Sequence, residues 1–445
     1  MFLFEKEIKM NDKLIFWLSF FIPGSGHLIL KQYKKAILGF IFTALAWIST
    51  ITALIPTLRM VFINQSGGEY AGKLTIGSIP YEDDSFLILV GAVFALACII
   101  AFLLVSYMIA RNARSIKISI DNGDEVVSFK EKMKIVAPDI IPHAVTGPGF
   151  ILMFLFMIVP AIISILIAFT NYKSPVLPPA FLIEWRGLEN FKKLFTDPRL
   201  SAAFTETITW TLVWTFCATI LVITLGIFLA VLCNSKKVKG KKFFRTIYLL
   251  PWAVPAFLTI LIFQIFFSRI GTMNTIVVPF FTGKEYDISN AIPFLMNANY
   301  AKLVIILIQG WLGFPYIYVL TTGILQTIPD DLYEAANIDG GNAWSNFWDI
   351  TFPIIMISAA PTMITQFTFN FNNVTIIYLL TGSVVKEVGS MYGPLETIAS
   401  LGYKLTMDAE YSTAALFTLI TSVIVSSVVL WSWIKTGAFS KEDVM

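Results

Sequence analysis

The chain has 445 residues, 56% hydrophobic and 14% charged, where an ordinary soluble domain carries roughly a quarter charged residues, so a soluble globule is excluded. A net charge of +3, from 32 basic and 29 acidic residues, leaves no basic surplus of the kind that nucleic-acid binders carry. Three cysteines (Cys98, Cys217, Cys233) lie in apolar stretches and the two histidines, His27 and His143, are far apart, so neither a disulfide framework nor a zinc cluster can be assembled.

From the N-terminus, Leu14–Ile22 is an apolar run behind Lys13, too short to span a bilayer and interrupted by Pro23, Gly24 and Gly26. It reads as an interfacial or re-entrant element over 12–31 rather than a cleavable leader. Eight windows then have the length and apolarity of membrane-spanning helices: 36–58, 85–110, 148–170, 207–233, 246–267, 303–325, 354–380 and 411–434. None contains Asp, Glu, Lys or Arg. Prolines 160, 251, 255, 315 and 361 are compatible with membrane helices, where neighbours satisfy the backbone groups that a kink frees. The alternating pattern of barrel strands is absent, so the expected fold is an all-α polytopic membrane protein with eight transmembrane helices.

Between the first two windows, Gly67–Lys73 has the spacing of a phosphate-binding loop, but Leu74 follows where Ser or Thr is needed and no strand precedes it. Asp83 and Asp84 form an acidic pair on an external turn, where solvated side chains are the simpler reading. With both termini cytoplasmic, 20 basic residues fall inside and 12 outside, as the positive-inside rule requires. The expected divisions are an N-terminal cytoplasmic or interfacial segment, 1–35; two additional spans with a cytoplasmic linker, 36–147; and a six-helix core, 148–445.

Two polar stripes lie within the spans. Gln309, Leu312, Gly313 and Tyr316 share one helical face, and Gln366, Phe369, Asn370 and Asn373 repeat that spacing. A buried amide in a bilayer is costly without a hydrogen bond, so these groups face protein, water or ligand. They either glue helices together or line a path. Neutral amides beside aromatic rings suit an uncharged polyhydroxylated ligand, a sugar rather than an ion, and Gly313 would let a bulky ring approach the backbone. The spans also lack the ionisable groups that proton- or ion-coupled carriers use.

Between the sixth and seventh windows, segment 326–353 has no Lys or Arg and carries Asp330, Asp331, Glu334, Asp339 and Asp349. Asp331 and Glu334 after Pro329 have capping-box spacing, and Asp339-Gly340-Gly341 marks a helix stop before a second short helix, Ala343–Ile350, that ends at Pro353. An ordinary helical hairpin would fit, and so would a projection shaped to enter a partner's groove.

Glu334-Ala335-Ala336, Asp339-Gly340, Ile350 and Pro353 resemble the EAA signature of membrane subunits of binding-protein-dependent ABC importers. Trp311-Leu312-Gly313-Phe314-Pro315-Tyr316 and Phe369-Asn370-Phe371-Asn372-Asn373 resemble, more narrowly, the MalF-type permease of maltose and maltodextrin importers. The likeness implies a type I ABC importer permease fold and a non-enzymatic transport subunit in a bacterial cell membrane. It implies several partners: a homologous second permease subunit, two cytoplasmic ATPase subunits that bind ATP and Mg, and an extracellular sugar-binding protein or lipoprotein. It places ATPase coupling on Glu334, Ala335, Ala336, Asp339, Gly340, Gly341, Ile350 and Pro353. The sugar contacts fall on Leu312, Gly313, Tyr316, Phe369, Asn370 and Asn373, with Gln309 and Gln366 beside them. Gly341 stands where the signature often has Ala, and Phe352 where it has Leu. Gln309 and Gln366 replace the shorter Asn and Ser of the enterobacterial type, and the external segment 171–206 is compact, as in Gram-positive versions.

Another oligosaccharide or a glycoside is the alternative cargo. An ion-coupled secondary carrier would need intramembrane charge, and a membrane enzyme acting on lipid-linked sugars would need a catalytic carboxylate, metal or histidine cluster that the chain does not display.

Overall fold

A computed structural model describes residues 10–51, 74–76, 79–81, 85–123, 142, 145–177, 183–235, 238–381 and 392–436, which divide into two compact units, Met1–Arg186 and Gly187–Met445. Gly67–Lys73, Asp83, Asp84 and His143 lie outside the described residues.

In the first unit, α1 (Asp12–Phe21) opens at Asn11, whose side chain accepts from the Lys13 amide at 3.1 Å. It lies antiparallel to the end of a long helix, α4 (Ser85–Asp121): Asp12 pairs with Arg114 at 2.7 Å, and Phe16 meets Tyr107 edge-on at 5.9 Å. The Arg114 guanidinium holds the Asp12 carboxyl below its ordinary range. Ile15, Leu30, Ala113 and Ile116 form the core between them. The chain turns at Pro23-Gly24, returns through α2 (Ser25–Ile29), and enters α3 (Tyr33–Ser49). Gly24 has φ 106°, and a Cβ there would lie 2.6 Å from the Ala36 carbonyl oxygen, so only glycine fits this close approach. The Thr43 hydroxyl donates to the Pro23 carbonyl at 3.2 Å. The turn therefore sits alongside residues 36–43, about 15 Å beyond Tyr33 at its furthest at 1.5 Å per residue. Segment 12–31 is a helical hairpin. His27, buried between its arms and α4, shares a 3.1 Å hydrogen bond with Asn112. Two short strands, β1 (Leu74–Ile76) and β2 (Ile79–Tyr81), pair antiparallel, and the unit continues in α5 (Val145–Ile167).

The second unit begins with α6 (Glu189–Thr196) and is built on α7 (Pro198–Asn234), with Asp197 as cap and Pro198 in the first turn, packed along α11 (Ala298–Thr327), capped by Asn297. Glycines let the two backbones approach: a Cβ on Gly226 would lie 2.5 Å from Ile317 Cβ, and one on Gly310 would lie 2.6 Å from Leu221 Cδ2. Trp214, Ile305, Ile308 and Ile376 fill one side of this seam, and Val222, Ile317, Ile355 and Met363 the other.

The window 246–267 is not one continuous span. It divides into α8 (Lys241–Ala253) and α9 (Ala256–Phe266), bent by 92°. Pro255 is the cause: its ring drives Val254 out of helical conformation, to φ −109° and ψ 133°. Pro315 and Pro361, by contrast, stay within helices. Six helices among the described residues are long and apolar enough to cross a membrane, seven if the bent pair is one span. The first window is described only as far as residue 51, with 52–58 outside the described residues. A short helix, α10 (Met273–Thr282), follows α9.

Candidate functional site

The two polar stripes meet. Asn370 lies on α13 (Phe352–Phe371) and is fully buried. Its carbonyl oxygen Oδ1 accepts from Gln309 Nε2 at 2.9 Å and from Gln366 Nε2 at 3.3 Å, and its Nδ2 donates to the Thr219 hydroxyl at 2.9 Å. Asn373, just past the end of α13, donates to Gln309 Oε1 at 3.3 Å. Trp214 Nε1 donates to the Asn370 backbone carbonyl at 3.0 Å. The four predicted amides thus form one network joining α7, α11 and the end of α13, and they satisfy one another in a setting where an orphaned amide would be costly.

The aromatic members behave differently. Tyr316 is 42% exposed and Phe369 60%, and neither ring enters the packed interior. Trp252 on α8, 52% exposed, lies beside Tyr316 with ring centroids 6.0 Å apart. Leu312 is half-buried against the α7–α11 core. Gly313 faces a helix: a Cβ there would lie 2.6 Å from Val222 Cγ2 and 3.5 Å from Gln309 Nε2. Gly313→Ala is therefore expected to lower the thermal midpoint of the purified subunit, by about 1–3 kcal/mol of overpacking. The double variant with Val222→Ala is expected to recover most of the loss. Failure of that rescue would show that the missing side chain serves something other than helix contact.

The predicted hairpin is present. The first helix, α12 (Asp330–Ile338), starts at Pro329, without the expected Asp331–Glu334 capping box. The reciprocal box forms instead at the start of the next helix, where Asn342 caps Trp344 and Ser345 while the Ser345 hydroxyl accepts from the Asn342 amide at 2.9 Å. Asp339 caps the C-terminus, Gly340 takes φ 87°, and the Gly341 amide donates to the Ala336 carbonyl at 2.8 Å. A Cβ on Gly341 would lie 2.6 Å from that oxygen, which explains glycine where the signature often has alanine. Asn346 donates to Asn337 across the turn at 3.1 Å, and Tyr333 shares a 2.9 Å hydrogen bond with Thr351. The expected second short helix, Ala343–Ile350, does not end at Pro353. Its first turn passes through a π-helical stretch, Asn346–Thr351, directly into α13, and Pro353 follows that stretch as the second residue of α13. Glu334 and Ala335 are exposed, as are Asp339 and Gly340; Ala336, Gly341, Ile350 and Pro353 are half-buried. Ile338 and Trp344, exposed by 86% and 72%, give the hairpin an apolar crown.

Several contributors were not singled out from the sequence. Thr207, Thr211, Thr215 and Thr219 recur every four residues along α7 and are all buried, a stripe that the helical period could have revealed. Thr211 accepts from the Ile398 amide at 2.9 Å and Trp210 donates to the Leu395 carbonyl at 3.0 Å, which ties α14 (Ile398–Met407) and the turn before it to α7. Glu396, 5% exposed, is held there by Lys404 at 3.2 Å. Among the described residues no group of His, Cys, Asp or Glu side chains could hold a metal ion.

Residues 222–433 match the protein family described as binding-protein-dependent transport system inner membrane component. Over 95% of its length the chain is 40% identical to the maltodextrin transport system permease protein MalC of Streptococcus pneumoniae, covering 96% of that protein. Over 97% of its length it is 39% identical to the galactooligosaccharides transport system permease protein GanP of Bacillus subtilis, covering all of it. In fold it is similar to a chain of a bacterial ABC transporter involved in the import of the acidic polysaccharide alginate, with a TM-score of 0.55 at 20% identity over 69% of this chain and 99% of that one.

Proposed function

This chain belongs to the family of binding-protein-dependent ABC importer permeases, and on that premise we propose that it forms half of the translocation path for maltodextrin in a Gram-positive cell membrane. It is a multi-pass membrane subunit of a sugar importer. In this reading eight spans place both termini in the cytoplasm, and the core that works with the second permease subunit runs from 148 to 445. The sugar arrives from an extracellular binding protein, and ATP is bound and hydrolysed by two separate cytoplasmic ATPase subunits.

One observation carries the cargo assignment: exposed rings, Tyr316 and Phe369, stand on helices whose neighbouring buried polar network consists of neutral groups, four amides and the Thr219 hydroxyl. Rings stack on sugar faces, and uncharged donors and acceptors match hydroxyls without demanding a counter-ion. Tyr316, Phe369 and Leu312 then make the contacts. Gln309, Gln366, Asn370 and Asn373 hold the face, and Gly313 sets the spacing of the helices that carry it. Coupling falls to the hairpin, through Glu334, Ala335, Ala336, Asp339, Gly340 and Gly341, with Ile350 and Pro353 at its root. ATP binding draws the ATPase pair together, the hairpin moves with it, and the permease pair rocks from inward- to outward-facing.

The test is radiolabelled maltodextrin uptake in vesicles holding this chain with its reconstituted partners. Uptake is expected to compete with maltodextrins and not with galactooligosaccharides; the reverse order would assign the cargo to the second class named by its relatives. Tyr316→Ala and Phe369→Ala are each expected to lower uptake at limiting sugar about tenfold, equivalent to ~1.4 kcal/mol, with the complex still assembled.

A further inference from the structure

We propose that the mouth of the α1–α2 hairpin is a binding site for the phosphate headgroups of anionic phospholipids. Four chain segments converge there. Asp12 at the start of α1 touches Arg114, three residues beyond Arg111 on α4. Lys31 follows the Leu30 cap of α2 and Lys34 lies in the first turn of α3, while the tip at Pro23-Gly24 lies far along α3, at Gly39 and Thr43. The hairpin's open end is therefore ringed by basic side chains, and its closed end is buried against apolar helix.

The charge count at this end is one-sided. Residues 10–35 and 107–121 contain Lys13, Lys31, Lys34, Lys35, Arg111, Arg114 and Lys117 against two acids, Asp12 and Asp121. Both acids are spoken for, Asp12 by Arg114 and Asp121 by Lys117. Among the described residues Lys31, Lys34 and Arg111 face no carboxylate, and all three are exposed. Rings that favour the headgroup level stand with them: Tyr33 and Tyr107 are 60% and 48% exposed, beside residues that snorkel. Further toward the tip the exposed surface becomes wholly apolar, with Trp17 and Phe21 stacked at 6.0 Å and Ile22 after them. A basic ring above an aromatic and aliphatic wall matches a lipid with a negative headgroup and an acyl tail, and no soluble anion needs the second part.

Native mass spectrometry of the purified full-length chain tests this, after incubation with equal amounts of phosphatidylglycerol and phosphatidylcholine of matched acyl chains. Wild type is expected to retain phosphatidylglycerol preferentially. Each basic residue near a surface adds about fivefold, ~1 kcal/mol, so Lys31→Gln, Lys34→Gln and Arg111→Gln together are expected to cost on the order of a hundredfold in that preference. Phosphatidylcholine retention should not change, and the charge-preserving set Lys31→Arg, Lys34→Arg and Arg111→Lys should behave as wild type. Equal retention of the two lipids by wild type would overturn the proposal without reference to any variant. So would an unchanged preference in the triple Gln variant, or displacement of phosphatidylglycerol by inorganic phosphate at matched concentration, which would mark a free-anion site.

Discussion

Gly341→Val is expected to abolish coupled uptake while leaving the chain inserted and the helices of its second unit folded. The side chain would place its Cβ 2.6 Å from the Ala336 carbonyl oxygen, which accepts the Gly341 amide, and 3.1 Å from Oδ1 of Asn346, the side chain whose Nδ2 donates to Asn337. Both bonds close the hairpin turn. Neither backbone nor capped helix can yield by the half ångström or more required, so the α12 helix must swing away from the stretch that leads into α13. On the proposed coupling role of this hairpin, the expected result is loss of at least 90% of maltodextrin uptake and of sugar-stimulated ATP hydrolysis in the reconstituted complex. Gly340 provides the internal comparison. At φ 87° an ordinary side chain costs roughly 1–2 kcal/mol, while asparagine tolerates the left-handed region. Gly340→Asn should keep most activity and Gly340→Val should lose most of it. Full uptake by Gly341→Val would remove the hairpin geometry from the coupling mechanism.

Asn370→Leu is expected to damage assembly rather than sugar affinity. The substitution removes three side-chain hydrogen bonds, to Gln309, Gln366 and Thr219, and leaves two amides and a hydroxyl without their partner inside a helical bundle. Two of the three bonds, to Gln309 and Thr219, cross between helices, and such bonds in membranes average ~0.6 kcal/mol and reach ~1.7, so their loss costs about 1–3 kcal/mol. Thermal unfolding followed by size-exclusion chromatography should show a lowered midpoint and reduced yield of intact subunit. Tyr316→Ala, which removes an exposed ring, should leave that midpoint in place and act on uptake alone. The opposite pattern, a normal midpoint with lost uptake for Asn370→Leu, would falsify the scaffold role and put the amide in contact with the sugar.

The contrast between these two residues shows how far the sequence reaches. Helical spacing places Gln366, Phe369, Asn370 and Asn373 on one stripe, and the cost of burying an amide says that the stripe must be satisfied. Neither rule says by what. Phe369 and Asn370 are adjacent, yet one is 60% exposed and the other fully buried, because a stripe about a quarter-turn wide has two edges and only packing against α7 decides which edge turns inward. Gly313 makes the same point. Its lack of a side chain is visible in the sequence, and the neighbour that needs the space, Val222, is 91 positions away.

The amino-acid sequence by itself determined the class of the protein, the charge-free spans, the acidic hairpin between Gln326 and Pro353, and the family signature within it. These are local or periodic features, encoded over fewer than about thirty residues, and bilayer thickness and the cost of unpaired charge read them directly. Tertiary structure alone decided that four amides, on α11, on α13 and just past its end, close a network with Thr219 and that the α12 turn is locked through Asn337 and Asn346. It also decided that 12–31 folds back beside α3 and α4. Each of those depends on which helices become neighbours. Hydropathy is blind to that choice, since every span is equally content in lipid and only close packing and hydrogen bonding tell the partners apart.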